Sequence, residues 1–455
     1  DQRDREAFQE VDYRAMFGPL AKWVAEIDRA DRIPEYISHA FHVAQSGRPG
    51  PVVLALPEDM LSGVAEGIPV PAATLPSGKA ADCDLKRVVE KLAAAKRPLI
   101  IAGGASWDAE AAEALGLFAK QMGLPVGASF RCQDFIDNRH PNYAGDLNVG
   151  VNPKLAARIR ASDCLLLIGT RFGDIETQGY TLVDPNDDSP QRIIMHCHPD
   201  PNEIGSVYSA YMGIATTGPD AVWRLLSCVR DGVDWATPQD WAAACRADYE
   251  AWITPQESPG DCKQEQIIKW LSDNLPDDAI LTNGAGNYAA WLHRYFVYKQ
   301  YGTQLAPTSG SMGYGFPAAI SASLEHPDRQ VVCLAGDGCI QMTINEMSTA
   351  IQHGAKPIVI VMNNGRYGTI RMHQEKTYPG RVSGTELANP DYPALARAYG
   401  GFGALVERSE DFPAAFKAAQ EAGTVAIIEC RIDAEALSTG QTLTAARTAA
   451  EKPKS

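Results

Sequence analysis

The chain has 455 residues, of which 45% are hydrophobic and 21% charged, with a formal net charge of −15. That balance excludes wholesale disorder, and so acidic a surface is a poor match for nucleic acid, whose binding needs Lys and Arg against phosphates. No apolar run approaches the roughly 18 residues that a membrane span requires, and the length predicts about three domains rather than one core.

The ten cysteines have no CxxC spacing, and Cys164 and Cys333 lie inside apolar runs. They predict buried, reduced thiols and a cytoplasmic protein. The chain starts at Asp1 without an initiator Met. Residues 1–62 hold two helical stretches and one strand, "GPVVLALP", which is too little for a domain. They are expected to be the C-terminal remnant of a domain that is mostly absent, so that this chain is the downstream part of a longer polypeptide.

Pro, Ala and Gly mark 63–82 as a linker. A second unit, 83–232, carries strands at "PLIIAGG", "PVGASF", "DCLLLIGT", "RIIMHCH" and "MGIATTG". A second linker is expected over 233–260. The third unit, 261–434, has strands "AILTNGAG", "QVVCLAGDG", "KPIVIVMNN" and "TVAIIECRI", and the tail 435–455 is expected to be flexible. Short β-branched runs alternating with amphipathic stretches predict an α/β chain of consecutive parallel-sheet domains, the central one Rossmann-like.

One pair of sites stands out. "QVVCLAGDG" ends in Gly336-Asp337-Gly338, and "KPIVIVMNN" ends in Asn363-Asn364. Open α/β sheets bind ligands past the carboxyl ends of their strands, and glycines let the backbone turn tightly there. The intervening "TINEMSTAIQHG" has helical spacing at Ile344, Met347 and Ile351, with Gly354 as its stop. Adjacent parallel strands would bring Asp337 beside Asn364. Either piece alone would be met by a helix cap and a turn. Together they offer a carboxylate, an amide and a backbone carbonyl, hard oxygen donors that suit Mg²⁺ or Ca²⁺ shared with a diphosphate, whose phosphates the glycine-turn amides can hold.

This pattern resembles the GDG…NN signature of thiamine-diphosphate-dependent enzymes, and nearly the whole chain is most similar to the acetohydroxyacid synthase (acetolactate synthase) large-subunit group. The resemblance implies Mg²⁺ held by the side chains of Asp337 and Asn364 and the main-chain carbonyl of Arg366. It implies thiamine diphosphate held at Gly336, Asp337, Gly338, Cys339, Asn364, Arg366, Tyr367 and Gly368. "TNGAGNYAAW" resembles the diphosphate loop, through Ala285, Gly286, Asn287 and Tyr288. "PTSGSMGYGFPAAI" resembles the segment under the cofactor rings, with Gly310 and Met312 meeting the aminopyrimidine and Met312 as the wedge that bends it. The glutamate that activates the pyrimidine lies, in the family, upstream of where this chain begins.

The implied activity is a thiamine-diphosphate- and Mg-dependent C–C bond lyase or ligase, a carboligase or decarboxylase acting on a 2-oxo acid or related carbonyl compound. The implied assembly is a homodimer or homotetramer with shared active sites. The alternative is a catalytically silent relative, or a fragment, that keeps the fold for assembly or regulation. Gln9 and Lys22 match positions at the shared site, and Arg48 matches a flavin contact. "IIAGGAS" and "HCHPDPNEIG" resemble FAD-holding places, but the first lacks a full dinucleotide fingerprint and His198 replaces an acid, so FAD is the weaker expectation. Ile175 replaces the family's acceptor-selecting arginine and His373 its substrate tryptophan. His373 is thus a candidate acid/base. An isoleucine cannot bind a carboxylate in bidentate fashion, so a second 2-oxo acid is not the expected acceptor. His196 and His198 share a strand face, but no further ligand at zinc spacing accompanies them.

Overall fold

The computed structural model describes residues 3–65, 70–71, 78–186, 192–230 and 239–451. Its two main sheets have six strands each, all parallel, with helices in most of the connections between successive strands. Apolar runs buried on both faces make their centres.

The N-terminal unit pairs β1 (Trp23–Glu26) with β2 (Val52–Ala55) in parallel, Trp23 opposite Val52, through the crossover helix Ile33–Gln45. The sequence predicted only the second of these strands. "WVAE" was missed because it is four residues long and ends in a charge. No residue of the crossover helix is buried, and Phe41 is 60% exposed.

The central sheet contains β3 (Pro98–Ala102), β4 (Val126–Ala128), β5 (Tyr143–Asp146), β6 (Cys164–Ile168), β7 (Ile193–His198) and β8 (Met212–Ala215), in the order β5-β4-β3-β6-β7-β8. The chain winds outward from β3 to one edge, then from β6 to the other. This is the doubly wound arrangement, with its switch point between β3 and β6. Both central strands are wholly buried, which is why they read so clearly as apolar runs. The edge strand β5, "YAGD", was not predicted.

The third sheet contains β9 (Ile280–Asn283), β10 (Gln304–Leu305), β11 (Val331–Gly336), β12 (Ile358–Asn363), β13 (Phe402–Val406) and β14 (Ala426–Arg431), in the order β10-β9-β11-β12-β14-β13. The two unpredicted strands, β10 and β13, are again the edges. Here the winding reverses between β9 and β11. The helix expected over 343–354 is a turn of 3-10 helix, Ile344–Glu346, running directly into Met347–His353, and a short helix Asp337–Ile340 precedes it. The last piece stops at Gly354, whose φ of 70° closes the cap as expected.

Two expectations for chain organisation need correction. The stretch 233–260 is not a linker throughout: Gln239–Trp252 is a helix that buries Cys245 and Tyr249 against the central domain, with Tyr249 edge-on to Tyr143 of β5. The tail is not loose over its described length. Antiparallel strands β15 (Ala436–Ser438) and β16 (Gln441–Thr442) lead into helix Leu443–Glu451, with Leu437, Leu443 and Ala446 buried. Residues 66–69 and 72–77 of the expected first linker, 233–238 of the second, 231–232 at the end of the expected central unit and 452–455 of the tail lie outside the described residues.

Buried polar contacts fix the central and third domains together. Asp134, 4% exposed, accepts from the amides of Gly302, Thr303 and Gln304 at 2.9, 3.0 and 3.1 Å. Asn138 and Tyr298 exchange backbone and side-chain bonds across the same joint. Burial pushes the Asp134 carboxyl up to about 6 against the pull of those amides. Replacing Asp134 with Ala would strand three buried amides, and the expected loss is about 2–4 kcal/mol of unfolding free energy, read by denaturant titration.

The tail is held by charge as well as by packing. Glu375, 1% exposed, accepts from Arg447 Nε at 2.8 Å and Nη2 at 2.7 Å, and from Arg371 Nε at 2.9 Å. The Arg447 bonds hold its carboxyl down at about 2. A folded-state value below the unfolded one gives stability that is complete above about 4.5 and is lost as pH falls toward 2. Urea midpoints measured between pH 2 and 7 should show that window, and Arg447→Gln should flatten it while lowering stability at pH 7.

Candidate active site

At the reversal point of the third sheet, β9 and β11 pair with Asn283 opposite Leu334, and β11 and β12 pair with Gly336 opposite Met362. Their carboxyl ends therefore open on one crevice, and the turns that follow them form its walls. It is a one-sided cleft with about 690 Å³ of unfilled space. Thirteen of the fourteen cofactor-binding candidates line it: Ala285, Gly286, Asn287 and Tyr288 after β9, Met312, Gly336 to Cys339 after β11, and Asn364, Arg366, Tyr367 and Gly368 after β12. The fourteenth, Gly310, has a left-handed φ of 70° in the loop that carries Met312, but it is not part of the wall.

Asp337 is 3% exposed and its orientation is fixed from several sides. Its Oδ1 accepts from Gly338 N at 2.9 Å; its Oδ2 accepts from Gly365 N at 2.9 Å and from Asn389 Nδ2 at 2.8 Å. Burial raises its pKa, opposed by the Asn389 amide and the neighbouring backbone N–H groups. Asn364 Oδ1 accepts from Arg366 N at 3.2 Å, whereas Asn363 donates to Glu429 at 2.8 Å and accepts from Gly365 N at 3.0 Å and Asn389 Nδ2 at 2.9 Å, the two donors that also hold Asp337. Of the two amides, it is Asn364 that lines the cleft.

The glycines flanking Asp337 are required by close approach. A Cβ on Gly336 would stand 2.9 Å from Tyr288 Cδ1, and one on Gly338 would stand 2.5 Å from Tyr367 Cε1. Cys339 joins three walls, its Sγ taking the Gly313 amide at 3.2 Å and the Tyr288 hydroxyl at 3.3 Å. Asn287 is locked by Thr369 and by the carbonyl of Leu437, whose side chain closes the cleft from the tail. Met312 lines the cleft and is 37% exposed.

Two polar atoms in this wall are buried without a partner, Gln264 Oε1 and Arg366 Nε. Buried polar groups are almost always paired, so Arg366 Nε, a donor, suits an anionic group, and Gln264 Oε1, an acceptor, suits a donor group on the same occupant. The donor set of one carboxylate, one amide and one carbonyl fits Mg²⁺ completed by diphosphate oxygens. Among the described residues no group of three or more His, Cys, Asp or Glu could hold a metal by itself.

Other candidates lie elsewhere. His373 sits on helix Gly368–Thr377 but is exposed and outside the cleft wall. Ile175 is 37% exposed on the central domain. Gln9 is exposed, and Lys22 donates to the carbonyls of Ser46 and Arg48. Arg48 and Arg171 both pair with Glu203, each at 2.9 Å. His196 contacts the Thr170 carbonyl at 2.9 Å, burial holding its pKa down to about 4, and His198 bonds to the backbone of Asp200. Sequence reasoning missed Asn389, Tyr392 (whose hydroxyl donates to the Asp337 carbonyl at 3.0 Å) and the tail residue Leu437. They come to the site from 52 or more positions away, and only the "ANPDYP" turn hinted at a bend there.

Residues 284–430 match the thiamine pyrophosphate enzyme C-terminal TPP binding domain, and residues 85–225 match the central domain of the same enzymes. The chain is 30% identical to the acetolactate synthase large subunit of Corynebacterium glutamicum, over 91% of its own length and 68% of the relative's. It is 28% identical to that of Haemophilus influenzae, covering 89% and 72%, and 29% identical to that of Lactococcus lactis, covering 87% and 69%. The chain belongs to the thiamine pyrophosphate enzyme family, as an enzyme similar to acetolactate synthase large subunits.

Proposed function

We propose that the protein uses thiamine diphosphate with Mg²⁺ to make or break the C–C bond beside the carbonyl of a 2-oxo acid or related donor, as a carboligase or decarboxylase. The observation that carries this is the convergence of Asp337, Asn364 and the Arg366 segment with the Gly284–Tyr288 loop on one cleft. When bound, thiamine diphosphate supplies a carbanion that adds to a carbonyl and takes up the electrons left by C–C cleavage. The chain's own residues position it. Asp337, Asn364 and the Arg366 carbonyl would hold the metal, and the turn amides would meet the phosphates. Met312, on the segment anchored by the Gly313–Cys339 bond, would support the rings. Gly338, Gly365 and Asn389 keep the Asp337 carboxylate aimed before any ligand arrives, so little reordering opposes binding.

No arginine stands at Ile175, and Arg171 nearby is committed to Glu203. The acceptor is therefore not a second 2-oxo acid read by a bidentate arginine. The central domain does not fit FAD. At its switch point the Gly103-Gly104 turn packs directly on Gly169, Trp107 Nε1 bonds to the Gly103 carbonyl at 2.9 Å, and the buried carboxylate of Glu176 occupies the Ser129–Thr170 hydroxyls. Arg48 and Arg171, the nearby cations, are both engaged by the one carboxylate of Glu203. The active protein is proposed to be a homodimer or homotetramer in the cytoplasm, its sites completed across subunits.

Melting curves with thiamine diphosphate and Mg²⁺ test the site. Binding at 100-fold over Kd should add about 2.7 kcal/mol of stability. Asp337→Ala and EDTA should each remove that gain, and equal melting with and without cofactor in the wild type would refute the assignment. With pyruvate, glyoxylate, benzoylformate or oxalyl-CoA as donor, Met312→Ala should keep the cofactor-dependent melting shift but slow CO₂ release by about tenfold or more, about 1.4 kcal/mol of barrier. A visible flavin absorption band in the protein purified under native conditions would overturn the exclusion of FAD.

A further inference from the structure

A second cavity lies beside the cleft, at the joint of the central domain, the third domain and the tail. It has about 1100 Å³ of unfilled space, partly open, walled by loop 146–153, the end of the helix at Trp252, His293 with Arg294, and the hairpin 438–441. Arg294 is the unusual member. It is 4% exposed, donates from Nε to the Trp252 carbonyl at 2.8 Å and from Nη1 to the Thr439 carbonyl at 3.0 Å, and stacks 3.7 Å from the Trp252 ring centroid. Among the described residues it has no carboxylate partner.

Behind it stands a second cation. Arg131, in a left-handed backbone conformation with φ 63°, contacts His293 Nε2 through Nη1, and its Nε is buried without a partner. His293 Nδ1 donates to Gln133 Oε1 at 2.9 Å, so Nε2 is the accepting nitrogen and the ring is neutral. Burial lowers the pKa of Arg131, of His293 and of Arg294 alike. The one carboxylate nearby, Asp146, is bonded to Asn148 rather than to either guanidinium, and burial pushes it up to about 6. A guanidinium keeps its proton, and buried charge without a counter-charge is costly. Arg294 thus presents a fixed positive charge to a polar cavity, Arg131 stands one residue behind it on His293, and Asp146 is the single carboxylate in the wall against these two cations.

We propose that this interdomain cavity is a binding site for a small oxyanion, a carboxylate or phosphate group, held by Arg294 with Arg131 supplying the second charge. It is separate from the cofactor cleft, which has its own walls, and the proposal does not depend on the function assigned above. The Arg guanidinium is the side chain best shaped for such groups. Because Arg294 also holds the tail hairpin through Thr439, an anion here would tie the two domains and the tail together.

Calorimetric titration of the purified protein with inorganic phosphate, and separately with malonate, at fixed ionic strength gives the test. One saturable site per chain is expected for at least one probe, and the tighter probe identifies the group. Arg294→Gln and Arg131→Gln should each weaken it at least tenfold, with melting curves verifying that each variant is folded. Should Arg294→Gln fail to fold, Arg131→Gln alone decides. Saturating thiamine diphosphate and Mg²⁺ should leave the site intact. No binding of either probe, unchanged affinity in a folded variant, or loss of phosphate binding on adding the cofactor would overturn the proposal.

Discussion

The parallel pairing of β11 with β12 is the constraint on which the site depends. A ladder that sets Gly336 against Met362 leaves Asp337 one step past one strand and Asn363-Asn364 at the end of the next. The two chain segments are far apart in sequence, yet their donors arrive together without any flexible reach. Both strands are buried along nearly their whole length, so the ladder that joins them lies in the core of the sheet. The same ladder places the amide of Gly365 on Asp337, so the carboxylate is both delivered and oriented by the sheet.

Around that pair the molecule adds supports from distant places. Asn389 and Tyr392 fix Asp337 from below, Cys339 links the three loops that form the walls, and Leu437 of the tail closes one side. The tail in turn is docked by Arg447 on Glu375 and by Arg294 on the Thr439 carbonyl. Cofactor cleft, tail and domain joint are thus one connected polar assembly built over two ordinary sheets. The central domain contributes through Asp134 and Arg131 at the joint.

What could be read in advance followed burial. β3, β6, β11 and β12 are apolar on both faces because they lie mid-sheet, and so they announced themselves. The edge strands β5, β10 and β13, and the short β1, have one face or one side open. Their composition is accordingly mixed, and they left no periodic signal. The linker expectation failed over 239–252 because Trp, Ala and Cys there pack as a helix against β5, and the tail expectation failed because the contacts that hold it, buried Ala436, Leu437, Leu443 and Ala446 with bonds from Arg447, Arg294 and Asn287, are scattered and leave no apolar run.

The sequence by itself determined the α/β class, the strand-end acid and paired amides, the glycines that make room beside them, and the loop residues Ala285 to Tyr288. Each of these is a local requirement, a turn or a buried run, that a short stretch must satisfy alone. Only the tertiary structure decided that His373 is exposed and outside the cleft wall, that Arg48 and Arg171 are bound to one glutamate, and that Asn389 and Leu437 come to the cleft and Arg294 to the domain joint. Those outcomes depend on which partner a side chain meets after the sheets have stacked. Residues many tens of positions apart carry no mark of that meeting in their own neighbourhoods.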